Sequence, residues 1–240
     1  MPINYYVIKH SDCLVVFDAG QDQACVTNPE YYPKKQRFWF QRSSKFQIQP
    51  DETASEQMKK LGYSVDDVKF VVLSHLHHDH HGTISEFGNS ELVVSLEEWE
   101  EMKKSGPGGA YLTEKIEIVG LRWKRISMQP TTDPMLVPFS ESFDLMGDGS
   151  LTLLPIPGHS PGSISMLVNR SRDTPLLLVG DLTYTLELLE GGKLGGVGNA
   201  GQLRSSIAKV LELKKNWSNL IILPTHDSGS AERLHKATAR

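Results

Sequence analysis

The chain has 240 residues, 39% of them hydrophobic, enough to bury one substantial core, and 25 Lys and Arg against 29 Asp and Glu leave a net charge of −4. That balance excludes the basic surface a nucleic-acid binder needs, and no run approaches the roughly 18 apolar residues of a membrane span. Only Cys13 and Cys25 occur, which excludes a disulfide framework and fits a reducing cytoplasm.

Met1 to His10 lacks a basic stretch followed by a long apolar one and reads as a first strand rather than a signal peptide. Tyr5 to Lys9 and Leu14 to Phe17 pair as strands before the turn Asp18-Ala19-Gly20. Tyr31 to Phe40 sets aromatics beside Lys34, Lys35 and Arg37 in a long segment without clear periodicity, which reads as a loop and suits an acyl-chain groove or a subunit interface. Thr53-Ala54-Ser55-Glu56 has capping-box spacing before a helix through Leu61, stopped by Gly62. Lys69 to Leu73 is strand-like and feeds the run Ser74 to Gly82. Ser95 caps a helix over Leu96 to Lys104, Ser105 to Gly109 breaks the chain, and Leu121 to Ile126 is a further strand. Met146 to Gly149 turns a hairpin between Ser142 to Leu145 and Leu151 to Ile156. The glycine-rich stretch Glu190 to Gly198 follows a helix at Tyr184, where it could form a mobile wall of a site; it lacks the order of a phosphate loop. Gln202 to Lys215 places Leu203, Ile207, Val210, Leu211 and Leu213 on a helix with one buried face. No internal repeat is visible, and a single domain over residues 1–240 is expected, its halves up to about Arg125 and beyond sharing one site.

The run Ser74-His75-Leu76-His77-His78-Asp79-His80-His81-Gly82 carries HxHxDH spacing. Imidazole supplies a nitrogen lone pair at physiological pH and carboxylate an anionic oxygen, a mixture that suits zinc or a similar divalent ion. Alternating His75, His77 and Asp79 point one way on an extended segment, while His80 faces elsewhere as the chain turns toward a helix, so the spacing can feed two metals. Three later apolar runs end at a Gly or Pro and present His159, Asp181 and His226.

The ordered set HxHxDH, lone His, Asp and final His resembles the metallo-β-lactamase superfamily, from about Asp18 to His226. That resemblance implies an α/β fold, the αββα sandwich of two mixed sheets flanked by helices. It assigns His75, His77 and His159 to one metal, Asp79, His80 and His226 to the other, and Asp181 to a bridge. Within the superfamily the chain is most similar to N-acyl homoserine lactonases, whose Tyr three residues after the bridging Asp stands here as Tyr184; Ala19 replaces their usual Thr in the Asp-Thr-Gly turn.

The resemblance implies two divalent ions, zinc first, with cobalt, iron or manganese also accepted by such ligands, and a lactone or ester substrate, with no nucleic-acid or membrane partner and a homodimer allowed. A hydroxide bridging the metals would attack the lactone carbonyl. Tyr184 would stabilise the oxyanion or, alternatively, pack for its ring alone; Asp79 or Tyr184 would protonate the leaving oxygen. Asp18 and Asp227 suit either outer-shell support or local turns, and His81 is expected at the surface rather than as a ligand. A glyoxalase-II-like thioesterase, a β-lactamase and a phosphotriesterase could use the same seven ligands. Diiron oxygen reductases usually carry Glu where His77 stands, and sulfur dioxygenases would hold one iron. A metal-bound protein without turnover is the remaining alternative.

Overall fold

The computed structural model describes residues 1–43, 45–106, 110–168 and 174–239. The sequence-predicted break at Ser105 to Gly109 lies mostly outside them, in residues 107–109. The chain divides into two compact units: Tyr5–Val94 with Trp99–Lys124, and Met1–Asn4 with Ser95–Glu98 and Arg125–Arg240.

The first unit is built on a mixed sheet of β1 (Tyr6–Lys9), β2 (Leu14–Phe17), β3 (Val68–Val72), β4 (Glu91–Ser95) and β5 (Arg122–Ile126), in that order. β1 and β2 run antiparallel, and β2, β3 and β4 are parallel neighbours. Leu14 to Phe17 are buried throughout, as befits a central strand covered on both faces, and this explains their continuous apolar run where a one-sided strand would alternate. Val16, Val71, Leu73, Leu92 and Val94 pack with Met58, Phe87, Trp99 and Met102 in one core.

The helices of this unit are α1 (Ala24–Thr27), α2 (Lys34–Ser43), α3 (Ala54–Lys60), most of α4 (Leu96–Ser105) and α5 (Thr113–Ile116). Two expectations are corrected here. The aromatic segment Tyr31 to Phe40 is largely helical, and it showed no simple apolar stripe because α2 turns Phe38 (76% exposed), Lys34 and Lys35 to solvent while burying Phe40. Thr53 makes no side-chain cap; the Ser55 backbone N–H donates instead to Glu86 Oε2 at 2.8 Å, a carboxylate 31 residues away. Ser95 does cap α4, accepting from the Glu98 N–H at 3.1 Å.

The second unit carries a mixed sheet in the order β11 (Ile221–Leu223), β10 (Leu176–Leu178), β9 (Ile164–Val168), β8 (Leu151–Pro155), β7 (Glu141–Asp144), β6 (Gln129–Pro130). β10 and β11 are parallel and the other pairs antiparallel. The expected hairpin is present: Asp144 closes the turn by accepting from Gly147 N–H and Gly149 N–H with its two carboxylate oxygens. α6 (Leu186–Glu190), α7 (Ala200–Asn216) and α8 (Ser230–Thr238) complete the unit. Asn199 caps α7 through the Gly201 and Gln202 N–H groups, and Leu203, Ile207, Val210 and Leu213 bury the predicted face. No described helix is long and apolar enough to cross a membrane.

Candidate metal centre

In the first unit the HxHxDH run leaves the end of β3 and folds directly onto the turn that ends β2. Ala19 N–H donates to His80 O (2.7 Å), Gly82 N–H to Gly20 O (2.8 Å), and the Thr83 hydroxyl to Ala19 O (2.5 Å). The expected helix does not follow: His80 N–H and His81 N–H both return to His77 O, and only a 3-10 turn at Ile84–Glu86 comes next. The resulting tight turn gathers the side chains. Rings of His75 and His77 lie 4.5 Å apart and those of His75 and His80 4.1 Å apart, and donor atoms of Asp79 and His80 come within 4.8 Å.

Asp18 underpins this cluster. Its backbone is left-handed (φ 59°), a conformation Asp tolerates better than most residues. Its fully buried carboxylate accepts from Ser74 N–H (2.8 Å), the Ser74 hydroxyl (3.0 Å) and His80 Nδ1 (2.8 Å). A carboxylate can only accept, so the His80 proton sits on Nδ1 and Nε2 carries the lone pair that can ligate. Of the two roles left open for Asp18, outer-shell support and turn, the geometry contains both.

His78 and His81 are no part of this cluster. His78 is buried, its Nδ1 2.5 Å from Gln21 Nε2, and it presents its ring to Tyr32, Phe40 and Phe46. The expectation of a surface His81 is overturned: the residue is 1% exposed, and burial pushes its pKa down to about 3, so it is neutral. Next to it, Gly82 passes so close to Gln21 and Asp22 that a Cβ would stand 2.2 Å from Asp22 N, a contact that no local sequence signal marks.

In the second unit each predicted residue lies just past a strand: His159 after β8, Asp181 after β10, His226 after β11. All three are buried. His159 Nδ1 is 3.1 Å from Val197 O and His226 Nδ1 is 2.8 Å from Pro2 O. Carbonyls only accept, so both rings carry their proton on Nδ1. Their Nε2 atoms turn to the same oxygen, Asp181 Oδ2, at 3.5 Å from His159 and 3.2 Å from His226. Two imidazole lone pairs and a carboxylate oxygen converging at that range repel one another unless a cation sits among them, so the donor set fits a divalent metal.

Tyr184 is half-buried, with its ring edge-on to His226 at 5.3 Å between centroids. Asp227 ties this region together, accepting from the Leu186 N–H that opens α6 (2.8 Å), from Gly229 N–H (2.8 Å) and from Arg233 Nη2 (2.6 Å). Although its partial burial opposes ionisation, those bonds and the Arg233 charge hold its carboxyl below the usual range. Two contributors had no sequence signal at all, the backbone carbonyls of Pro2 and Val197.

The family model of the metallo-β-lactamase superfamily matches residues 1–226. N-acyl homoserine lactonase AttM from Rhizobium radiobacter is 32% identical over 207 residues, covering 82% of this chain and 70% of that protein. A solved N-acyl homoserine lactone hydrolase, with the product N-hexanoyl-L-homoserine bound at its catalytic metal centre, superposes with a TM-score of 0.73 at 23% identity, covering 96% of this chain and 83% of that one. AidC, a dizinc quorum-quenching lactonase, superposes with a TM-score of 0.62 at 16% identity, over 94% and 72%. The expected fold class, two mixed sheets with flanking helices, is borne out. The chain belongs to the metallo-β-lactamase superfamily, with N-acyl homoserine lactonases among its relatives.

Proposed function

We propose that the chain is a metal-dependent hydrolase of ester bonds that opens the lactone ring of N-acyl homoserine lactones. Residues 1–240 act as one functional domain in the cytoplasm, on a small-molecule substrate and without nucleic-acid or membrane partners; a homodimer is compatible with this role. His75, His77 and His159 would hold one divalent ion and Asp79, His80 and His226 a second, with Asp181 available to both. Zinc is the first choice because AidC is dizinc, although cobalt, iron or manganese suit the same donors. The observation that carries the reading is the convergence of His159 and His226 Nε2 on one Asp181 oxygen, at the positions where the family motif expects it.

When bound, such ions supply Lewis acidity and bring the pKa of a water toward neutrality. The chain's own residues do the rest. Asp18, Pro2 and Val197 fix the ligand tautomers before metal arrives, which removes reorganisation from the cost of binding. The Tyr184 phenol donates a hydrogen bond to the oxyanion that develops at the lactone carbonyl. Asp79 moves the proton of the attacking water to the ring oxygen as the C–O bond breaks. The test is parallel turnover of a short-chain and a long-chain N-acyl homoserine lactone, S-lactoylglutathione and a cephalosporin by zinc-loaded protein. Ring opening of the lactones well above the other two is expected; preferred thioester or β-lactam turnover would overturn the substrate assignment.

A further inference from the structure

The glycine-rich stretch after α6 holds none of the proposed ligands, yet four observations tie it to the site. Val197 O accepts the Nδ1 proton of His159 at 3.1 Å. The Asn199 N–H donates to Gly158 O at 2.7 Å, binding the loop to the segment that carries His159. Gly198 (φ 126°) approaches so closely that a Cβ would stand 2.1 Å from Gly158 O and 2.8 Å from His159 Cα. Two residues earlier in the same loop, Gly196 (φ 105°) comes so close to the Tyr184 phenol that a Cβ would stand 2.8 Å from Cζ and 3.0 Å from the hydroxyl oxygen. L side chains rarely adopt either conformation, so both positions need glycine twice over, for backbone angle and for space.

We propose that Gly195 to Gly198 is a positioning device that sets a metal ligand and the oxyanion donor together: Val197 O orients His159, and the bare face of Gly196 places the Tyr184 phenol. The proposal rests on the lactonase reading for Tyr184, and on the metal reading alone for His159. These are positioning residues, since none touches the reacting atoms. Their effects separate along the loop. Gly198→Ala pushes the loop off Gly158 and withdraws the Val197 carbonyl, so it acts on metal retention. Gly196→Ala meets side-chain atoms of Tyr184 alone and otherwise strains its own backbone, so it acts first on turnover.

The test uses the full chain loaded with zinc, a chromophoric chelator to draw the metal off, and N-acyl homoserine lactone kinetics. Gly198→Ala is expected to weaken zinc retention about 10- to 100-fold, the range typical of losing an outer-shell partner. Gly196→Ala, whose strained backbone adjoins Val197, is expected to disturb retention less than Gly198→Ala does and to lower kcat about 10²-fold with KM little changed, the size of a misplacement near 1 Å. Combining it with Tyr184→Phe should then lower kcat no further. Lys193→Ala, an exposed side chain in the same loop, serves as the control and should match wild type. The nitrogen chemical shifts of the His159 ring in metal-free wild-type protein at pH 8 need no variant, and should report the Nδ1–H tautomer.

Wild-type retention in a folded Gly198→Ala protein, or an Nε2–H tautomer at His159, overturns the His159 half. A Gly196→Ala loss that adds fully to that of Tyr184→Phe overturns the Tyr184 half. If the wild type retains zinc but ignores every lactone, the substrate reading fails while the retention and tautomer measurements still judge the loop.

Discussion

Asp18→Asn is the sharpest perturbation of the first-unit ligand cluster. The native carboxylate accepts from three donors, Ser74 N–H, the Ser74 hydroxyl and His80 Nδ1–H. An Asn side chain is nearly isosteric but keeps one acceptor oxygen. With the amide nitrogen toward His80, the imidazole must either lose its bond or move its proton to Nε2, which removes the lone pair a metal needs. With the nitrogen toward Ser74 N–H, two donors face each other in a fully buried place. Either way one buried donor goes unpaired, costing about 1–3 kcal/mol of metal-free stability. Zinc affinity should fall about 10- to 100-fold, roughly 1.4–2.7 kcal/mol. Urea unfolding of metal-free protein and competition with a chelator measure the two quantities separately. Zinc affinity within twofold of wild type would refute the claim that Asp18 sets the His80 tautomer.

Further outcomes follow from the same geometry. Tyr184→Phe should lower kcat on a lactone about 10²- to 10³-fold while leaving zinc content unchanged; a loss below tenfold would mean the ring only packs. Gly82→Ala drives a Cβ into the Asp22 and Gln21 backbone at 2.2–2.6 Å. It should cost up to about 3 kcal/mol, seen as a Tm fall of roughly 6–12 °C for a chain of this length; an unchanged melting curve would show that the loop relaxes freely. Burial raises the Cys25 thiol to about 12. Against a free thiol at pH 8 this removes about three orders of thiolate, and higher intrinsic nucleophilicity returns about one and a half. In a Cys13→Ser background, iodoacetamide should therefore modify Cys25 roughly 50-fold slower than a free thiol; equal rates would mean the thiol is accessible and ionised.

The ligand-bearing ends of β8, β10 and β11 were legible because each combines a continuous apolar run, a Gly or Pro stop and a His or Asp within a few residues, and doubly covered strands such as β2 and β10 need such runs. α7 was legible for the complementary reason, one buried stripe of Leu203, Ile207, Val210 and Leu213. α2 was not, because Phe38 stands exposed on a helix whose buried anchor is Phe40, so apolar residues fall on both faces. The burial of His81 was hidden because it depends on how closely Gly82 passes Gln21 and Asp22, a contact more than 50 positions away in sequence. Support from Pro2 and Val197 was invisible in principle: a carbonyl is the same on every residue. For the same reason the contacts that fix the glycines around Val197 leave no mark in the sequence.

The most direct test of the central claim is a titration of metal-stripped protein with zinc, following lactone ring opening against zinc bound per chain. The account predicts activity that rises until two ions are bound and is lost in Asp181→Asn; full activity at one ion per chain, or in Asp181→Asn, would contradict it.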